Sequence, residues 1–159
     1  MDEAAKKQAL RMLPYGLHIG GAAQGPSVHA FLLSWFSQAS FKPPLVMAGL
    51  REGTKAHAMV LASRVFSVNL LARTQKEVAA SFLHPAVVEG GTINGHGYTR
   101  GHATGCLILD DAPAWLECRV VHDFAYGDHT VLVAEVVEAG VRRVVPALTE
   151  QDTGWSYGG

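Results

Sequence analysis

The sequence predicts a mainly β fold with a few short helices. Runs rich in Val, Leu, Ile, Phe and Tyr, each about the length of one strand, recur along the chain between Gly, Pro and Asp turn residues. Helix start signals, by contrast, introduce only short stretches. A chain with many strands and few short helices buries its apolar faces by closing a sheet, so we expect a β-barrel.

The first half of the chain is predicted to mix strands with short helices. Pro14 closes the first helix, and Thr74 and Glu77 have the spacing of a capping box, which predicts a later helix start. The predicted helices cover residues 2–13, 54–63 and 74–83, and the predicted strands cover residues 15–23, 28–41, 45–50 and 65–71, with a turn at residues 24–26.

A glycine-rich loop and three strands are predicted for the second half. Residues 84–105 hold six glycines and few large apolar side chains, which predicts one long loop, as found in lids or mobile insertions. Strands are predicted over residues 114–123, 130–139 and 141–147. They are joined by predicted turns at residues 126–128 and at Gly140.

Composition and charge favour one compact domain over residues 1–159. With 48% apolar and 17% charged residues, the chain has enough apolar side chains to fill a core. Its 13 basic and 14 acidic residues nearly cancel, which argues against nucleic-acid and anionic-membrane partners. The N-terminal stretch MDEAAKKQALRML contains acids and lacks a long apolar run, so we expect no secretory signal and a cytoplasmic protein.

The cysteines and histidines form no metal or redox motif. Cys106 and Cys118 are far from C-x-x-C spacing, so we expect buried thiols rather than a redox disulfide. The eight histidines show neither an H-E-x-x-H motif nor the paired spacing of a structural zinc site, so we expect no metal. The sequence also lacks a nucleophile elbow, a P-loop and a Rossmann fingerprint between a strand and a helix.

The segment SWFSQASFKPPLV, residues 34–46, is the most informative part of the chain. Its three serines and Gln38 offer hydrogen bonds without charge, and two prolines end the strand. A plain half-buried strand would instead alternate apolar and charged residues. Short neutral polar groups suit a cofactor with carbonyls and ring nitrogens. The alternative is an edge strand followed by a polyproline turn.

Four blocks of the sequence resemble the flavin reductase family of FMN-binding split barrels. The blocks are SWFSQASFKPPLV with the loop REGTKAH, then FSVNLL, AWLECRVV and GDHTVLVAEV. They follow the order and approximate spacing of that family, and the resemblance covers most of the chain from about Met12 onward. It implies a mainly β, FMN-binding split β-barrel with short helices.

The resemblance implies a flavin-dependent NAD(P)H oxidoreductase, a flavin reductase. Such an enzyme transfers hydride from NADH or NADPH to FMN, or to FAD, and supplies reduced flavin or electrons to a partner such as a monooxygenase. The family also implies a homodimer. Two alternatives stay open: an FMN-binding electron carrier of the flavoredoxin type, and a non-catalytic flavin-binding module.

The resemblance assigns flavin contacts to two neighbouring parts of the chain. The strand lies beside the isoalloxazine in the family, which implies cofactor contacts from Ser34, Ser37, Gln38, Ala39 and Ser40 through side chains and backbone amides. The loop receives the phosphate, which implies Arg51, Thr54 and Lys55. A phosphate dianion favours cationic and hydroxyl donors at the start of a helix.

The phosphate loop departs from the common family pattern at one position. Where many members have a second hydroxyl two residues after the first, this chain has Ala56 after Thr54. Arg51 or Lys55 would have to compensate electrostatically. The alternative is that the charged residues of this loop form an ordinary solvated turn.

Two further residues match functional positions of the family. Asn69 matches a position near the flavin, although a buried asparagine can equally pin two strands together. His129 matches the histidine of the GDH motif, which implies a catalytic role in placing the hydride donor. The alternative is a strand-opening histidine held by Asp128.

The C-terminal tail contains two aromatic residues. Trp155 and Tyr157 are expected to pack on the barrel or on a second subunit. The alternative is a frayed end.

Overall fold

The computed structural model describes residues 1–158, which form 11 strands and four helices. The strands are β1 His18–Gln24, β2 Ser27–Leu33, β3 Phe36–Ser40, β4 Leu45–Arg51, β5 Val65–Leu70, β6 Val88–Glu89, β7 Thr92–Ile93, β8 His96–Arg100, β9 Leu107–Leu109, β10 Ala114–Ala125 and β11 His129–Val141. The helices are α1 Glu3–Arg11, α2 Lys55–Ser63, α3 Lys76–Ser81 and α4 Glu150–Thr153.

Seven strands form one antiparallel sheet whose two edges are brought together by the chain itself. The strand order is β2-β1-β5-β10-β11-β4-β3, so β2 and β3 lie at opposite edges. Only Ser34 and Trp35 separate these two strands, and three Cα–Cα steps of about 3.8 Å reach about 11 Å at most. The sheet must therefore curl until its edges nearly meet. His18 of β1 and Phe36 of β3 touch across the gap, with ring centroids 5.5 Å apart, which gives the predicted split barrel.

A second sheet of four short strands replaces the long loop predicted over residues 84–105. Its order is β6-β7-β8-β9. Gly90-Gly91 joins β6 to β7, Asn94-Gly95 joins β7 to β8, and all four residues have positive φ. Two-residue hairpin turns need positive φ at their central positions, which glycine and asparagine supply. The loop prediction is wrong because these glycines make tight turns between very short strands.

Two apolar clusters fill the structure, one on each side of β1. Successive side chains of a strand point to opposite faces. Ile19 therefore joins the cluster between the barrel, the small sheet and α3, whereas Ala22 joins the cluster inside the barrel. α2 contributes Met59 and Val60 to the barrel interior. The helix that follows the predicted phosphate loop is thus fixed by its apolar side, which sets the position of its first turn.

The strand predicted over residues 28–41 is in fact two strands. β2 ends at Leu33 and pairs with β1, whereas β3 begins at Phe36 and pairs with β4. The backbone between them bends sharply, since the amide of Phe36 donates to the carbonyl of Ser34 at 2.9 Å. The sequence contains no glycine or proline at this break, because Ser34 and Trp35 alone connect the two strands.

β11 runs through a predicted turn, and no strand follows it up to residue 158. The predicted turn at Gly140 is wrong, because Gly140 lies within β11 directly opposite Trp115 of β10. A Cβ at this position would overlap the Trp115 indole, so the glycine permits close packing. The strand predicted over residues 141–147 is also wrong. Its partner β10 begins at Ala114, which pairs with Val141, so the ladder ends there. From there to residue 147 the backbone makes only scattered hydrogen bonds and one isolated bridge, between Ala72 and Ala147.

The helix starts are predicted correctly at two of three places. Asp2 and Thr54 accept hydrogen bonds from first-turn amides of α1 and α2. The capping box predicted at Thr74 is wrong, because Gln75 precedes α3 and its side chain instead accepts from the amide of Ala72 at 2.8 Å. Within residues 1–158, none of the helices is long and apolar enough to cross a membrane.

Cys106 and Cys118 are buried thiols, as predicted. Burial disfavours the thiolate and raises the pKa of Cys106 to about 11 and that of Cys118 to about 12. Both sulfurs therefore stay protonated near neutral pH, which makes them poor nucleophiles and poor metal ligands.

His18 makes the stability of the fold depend on pH. Its side chain is buried in β1, and burial lowers its pKa from 6.5 to about 4. Between about pH 6.5 and 4, His18 is protonated in the unfolded chain but stays neutral in the folded one. The contribution of His18 to stability is therefore constant above about pH 6.5 and falls as the pH drops towards 4, by about 3 kcal/mol.

We expect His18→Leu to remove most of this dependence, since leucine does not titrate. Urea unfolding of the wild type and of the variant between pH 7.5 and 4.5 measures the difference. His84→Leu, at an exposed histidine, is the matched control and should keep the wild-type slope. A wild-type slope in His18→Leu would show that other groups cause the acid sensitivity.

Candidate functional site

A cavity of about 480 Å³ opens where the two edges of the barrel meet. Its walls come from β2, the Ser34–Trp35 connection, the end of β4, the start of α2, the residues after α3 and the C-terminal tail. The lining side chains important for the site are His29, Ser34, Trp35, Arg51, Thr54, Ala56, Glu150, Trp155 and Tyr157. The cavity thus gathers three predicted cofactor residues, Ser34, Arg51 and Thr54, from separate parts of the sequence.

Trp35 forms an aromatic wall of this cavity because its neighbour in β4 is a glycine. The Trp35 carbonyl accepts from the amide of Gly49 at 2.8 Å, which holds the connection against β4. A Cβ at Gly49 would lie 3.1 Å from the Trp35 ring, closer than most contacts of real side chains. The absence of a side chain at Gly49 therefore lets the indole lie close to the sheet.

The first turn of α2 supplies hydrogen-bond donors to the same cavity. The Thr54 hydroxyl accepts from the amide of His57 at 3.2 Å and donates to the carbonyl of Arg51 at 2.9 Å. These two bonds fix the loop before the helix. The remaining first-turn amides and the positive end of the nine-residue helix favour an anion there.

Lys55 adds positive charge beside the cavity without lining it. Its side chain is exposed, yet its charge acts on His29, a lining residue. The pKa of His29 is lowered, first by burial and second by the Lys55 ammonium. Arg51 also acts on its surroundings, since its guanidinium opposes the rise that burial causes in the pKa of Tyr157. Two cations therefore flank the start of α2, as the phosphate prediction requires.

His129 lies in a chain of hydrogen bonds at the start of β11. Its Nδ1 is 2.7 Å from Asp128 Oδ1, and its Nε2 is 2.9 Å from the Tyr157 hydroxyl. Its ring packs on Trp35, with centroids 4.4 Å apart. The hydrogen bond from His129 lowers the pKa of the Asp128 carboxyl. His129 is thus a strand-opening histidine held by Asp128, and it packs against Trp35 of the cavity wall without lining the cavity itself.

The four predicted residues of β3 lie outside the cavity lining. Ser37, Gln38 and Ala39 are exposed and Ser40 is half-buried. β3 is an edge strand that pairs only with β4, so one side of its backbone has free donors and acceptors. Their role in flavin binding stays a prediction, and edge-strand amides are suitable groups for it.

Asn69 joins the barrel to the small sheet. It is fully buried in β5, and its Nδ2 donates to the carbonyl of Ile19 at 3.0 Å and more weakly to that of Leu107 at 3.4 Å. Its Oδ1 accepts from the amide of Leu109 at 2.8 Å. The predicted alternative, that Asn69 pins strands together, is confirmed by these bonds. Its predicted role in flavin binding stays a prediction.

The C-terminal tail packs on the barrel, as expected. Trp155 packs against the cluster under the small sheet, and the Tyr157 ring lies edge-on to Trp35 at 5.5 Å. The amide of Tyr157 donates to Glu150 Oε1 at 2.8 Å. Glu150 is a site residue that the sequence analysis misses, because no local motif distinguishes it from other acidic residues.

Three buried polar atoms of the cavity wall have no hydrogen-bond partner within residues 1–158. They are His29 Nδ1, Trp35 Nε1 and Glu150 Oε2. Native proteins rarely leave buried polar atoms unpaired, and those that do often bind water or a ligand there. The wall therefore offers an indole donor and a carboxylate acceptor to a polar ligand. No cluster of three metal-ligating side chains occurs in the part of the chain that the structure describes.

The architecture defines a class of protein, the split-barrel flavin reductases. The solved flavin reductase of styrene monooxygenase from Pseudomonas putida S12 is 27% identical to this chain and superimposes with a TM-score of 0.75, covering 91% of this chain and 90% of that one. The flavin reductase component of a bacterial two-component tryptophan halogenase shares the fold with a TM-score of 0.81 over 96% of this chain and 95% of its own, at 23% identity.

The chain belongs to the flavin reductase like domain family, whose model matches residues 10–153. The reductase component of a 4-nitrophenol 4-monooxygenase/4-nitrocatechol 2-monooxygenase from Rhodococcus opacus is 30% identical over 87% of this chain and 72% of its own length. Several other curated relatives are longer, and the chain spans a third or less of their length. The predicted family, fold and enzyme class, an oxidoreductase of the flavin reductase type, are confirmed.

Proposed function

We propose that this protein transfers hydride from NADH or NADPH to FMN, with FAD as the alternative flavin, and supplies reduced flavin to a monooxygenase in the cytoplasm. Membership of the flavin reductase family supports the reaction. The names of relatives support the electron acceptor, since the Rhodococcus opacus protein is the reductase component of a monooxygenase. An NADPH-flavin oxidoreductase from Streptomyces viridifaciens, 31% identical over 91% of this chain and 79% of its own length, supports the donor.

One observation carries the proposal: a single cavity combines an aromatic wall with an anion-binding helix start. Trp35 and Tyr157 provide flat apolar surface, and His129 packs against both. Thr54 and the first turn of α2 provide donors for a phosphate, with Arg51 and Lys55 as cations. FMN consists of a planar ring system and a terminal phosphate, so its two ends match the two parts of the cavity.

The unpaired polar atoms of the wall also fit a flavin. A flavin ring has carbonyl acceptors beside a ring N–H donor, and the wall presents an unpaired donor, Trp35 Nε1, and an unpaired acceptor, Glu150 Oε2. We propose that Arg51, Thr54 and Lys55 hold the phosphate and that Ser34 contacts the ring system. Backbone amides of Ser37–Ser40 on the β3 edge would contact the polar rim of the flavin, and Asn69 would support the strands behind it.

The side chains of the site would act by placing and orienting the two reactants. Bound flavin supplies the hydride-accepting chemistry. The protein contributes a fixed geometry, because misplacement of reacting atoms by about 1 Å can cost roughly a hundredfold in rate. His129, held between Asp128 and Tyr157, would set the position of the nicotinamide. The Arg51 and Lys55 cations would balance the negative charge of the cofactor phosphate.

A second candidate is an FMN-binding electron carrier without nicotinamide activity. The engagement of both His129 nitrogens favours it, because the Tyr157 hydroxyl lies against the nitrogen that would otherwise face a hydride donor. The same fold and the same phosphate contacts would serve a carrier. Only the reaction with NADH or NADPH distinguishes the two functions.

We also propose a homodimer, supported by an exposed apolar patch on the outer face of the barrel. Met47, Phe124 and Val131 are exposed and lie on neighbouring strands, since Val131 pairs with Phe124 and with Gly49, two residues from Met47. Contiguous apolar surface of this kind marks interaction sites. His129 lies on the same face of β11 as Val131. A second subunit on this patch would lie next to the cavity.

The function is tested by anaerobic reduction of the FMN-loaded protein. We expect NADH or NADPH to bleach the visible flavin bands of the wild type. His129→Ala should slow this reduction at least tenfold at saturating nicotinamide, because the donor loses its orientation. The FMN dissociation constant, measured by titration, should stay nearly constant.

Flavin bands that neither nicotinamide bleaches would favour the electron carrier. His122→Ala, at an exposed histidine of β10, is the matched control and should reduce at the wild-type rate. Should His129→Ala also react at the wild-type rate while loaded with FMN, His129 has no part in hydride transfer.

The phosphate site is tested by comparing two flavins that differ only in the phosphate. The double variant Arg51→Ala with Lys55→Ala should weaken FMN binding by tenfold or more, because a hydrogen bond to a charged group contributes about 1.5–3 kcal/mol. Riboflavin binding should change by less than twofold. Fluorescence titration measures both constants, and equal losses for the two flavins would place the phosphate elsewhere.

The patch is tested by placing a charge within it. Val131→Lys should dissociate the dimer in sedimentation equilibrium, since a buried unpaired ammonium strongly disfavours an apolar interface. Val144→Lys is the matched control, because Val144 is 95% exposed and lies beyond β11. A wild type that sediments as a monomer, or a Val131→Lys variant that stays dimeric, contradicts this assignment.

A further inference from the structure

We propose that the hydroxyl of Tyr157 positions His129 and acts on hydride transfer only through it, whereas the Tyr157 ring belongs to the cavity wall. This inference rests on the proposed function. Tyr157 comes from the C-terminal tail, 28 residues beyond His129, and its hydroxyl is 2.9 Å from His129 Nε2. The contact fixes the edge of the histidine that Asp128 leaves open.

The hydrogen-bond chain determines which His129 nitrogen carries the proton. The Asp128 carboxylate accepts at 2.7 Å from Nδ1, so Nδ1 is the protonated nitrogen of the neutral ring and Nε2 is an acceptor. Burial raises the pKa of the Tyr157 hydroxyl, so this hydroxyl keeps its proton and donates to Nε2. Both ring nitrogens are then occupied. His129 would therefore guide the nicotinamide by the position of its ring rather than by transferring a proton.

The tail is held firmly enough to position another residue. The amide of Tyr157 donates to Glu150 Oε1 at 2.8 Å, and the amide of Trp155 donates to Thr153 Oγ1 at 3.0 Å. The Tyr157 ring also contacts Trp35, on which His129 packs. Tyr157, His129 and Trp35 therefore hold one another in place, and the loss of the Tyr157 hydroxyl leaves His129 held from one side only.

Tyr157→Phe isolates this contact, because phenylalanine keeps the ring packing and lacks the hydroxyl. In anaerobic stopped-flow with FMN-loaded protein and NADH, we expect the reduction rate to fall about threefold to tenfold, the effect of one hydrogen bond. FMN affinity should not change. Tyr126→Phe removes a phenol that is 90% exposed on the turn before β11, and it should react at the wild-type rate.

A double-mutant cycle separates positioning from a general structural role. In a His129→Ala background, Tyr157→Phe should cause no further loss, because the residue through which it acts is gone. Equal loss in both backgrounds, or no loss in either, overturns the proposal. If His129→Ala alone has no effect, the role of Tyr157 through His129 is overturned as well.

A second measurement does not depend on activity and keeps the test separate from the proposed function. In ¹⁵N NMR of the histidine rings, the Nε2 signal of His129 should move towards the value of a free pyridine-type nitrogen in Tyr157→Phe. Tyr126→Phe should leave it in place. An unmoved signal in Tyr157→Phe overturns the proposal, even if neither nicotinamide reduces the wild type. A moved signal in a protein that nicotinamides do not reduce supports the contact and rejects only the reductase function.

Discussion

The site depends on one constraint, the two-residue connection between opposite edges of the main sheet. Because β2 ends at Leu33 and β3 begins at Phe36, the seven-stranded sheet has to curl until β2 approaches β3. The same connection carries Trp35 onto β4 beside Gly49, and it forms one wall of the cavity. The backbone path that closes the barrel thus also builds the aromatic surface of the site. A longer connection would no longer force the sheet edges together, and it would no longer hold Trp35 against β4.

The cavity wall is not optimised for stability in the ligand-free protein. Trp35 Nε1 and Glu150 Oε2 are buried without a partner within residues 1–158, and each such atom costs about 1–3 kcal/mol. The rest of the fold places its polar groups carefully, as the three hydrogen bonds of Asn69 show. Three of the four unpaired buried polar atoms of residues 1–158 belong to residues that line this one cavity, and His18 Nδ1 is the fourth. Such clustering is expected where a protein binds a polar ligand, since the ligand then supplies the missing partners.

Local patterns in the sequence predict much of the fold and only part of the site. The strand-length apolar runs and the block order predict the barrel, and the helix predicted over residues 54–63 matches α2. The sequence analysis does not predict the small sheet, because it interprets the Asn94-Gly95 hairpin signal as a loop, although the strands it joins are merely short. Contacts between distant residues leave no local signal. Tyr157 meets His129 and Glu150 only because the tail returns to the barrel, so neither Glu150 nor the Tyr157 contact follows from residue spacing.

The predicted flavin strand and the apolar patch are neighbours, so the proposed flavin site and the proposed dimer interface would share strands. Ser37 of β3 pairs with Met47 of β4, so the free backbone edge of β3 lies beside the patch. An exposed strand edge and an exposed apolar surface each favour association with another molecule. Flavin bound at the β3 edge and a partner subunit bound on the apolar patch would both contact β3 and β4 or their neighbours. A ligand that binds only the assembled form stabilises it by mass action. If the second subunit completes the flavin site, flavin should shift the proposed dimer towards association, and dilution should weaken flavin binding.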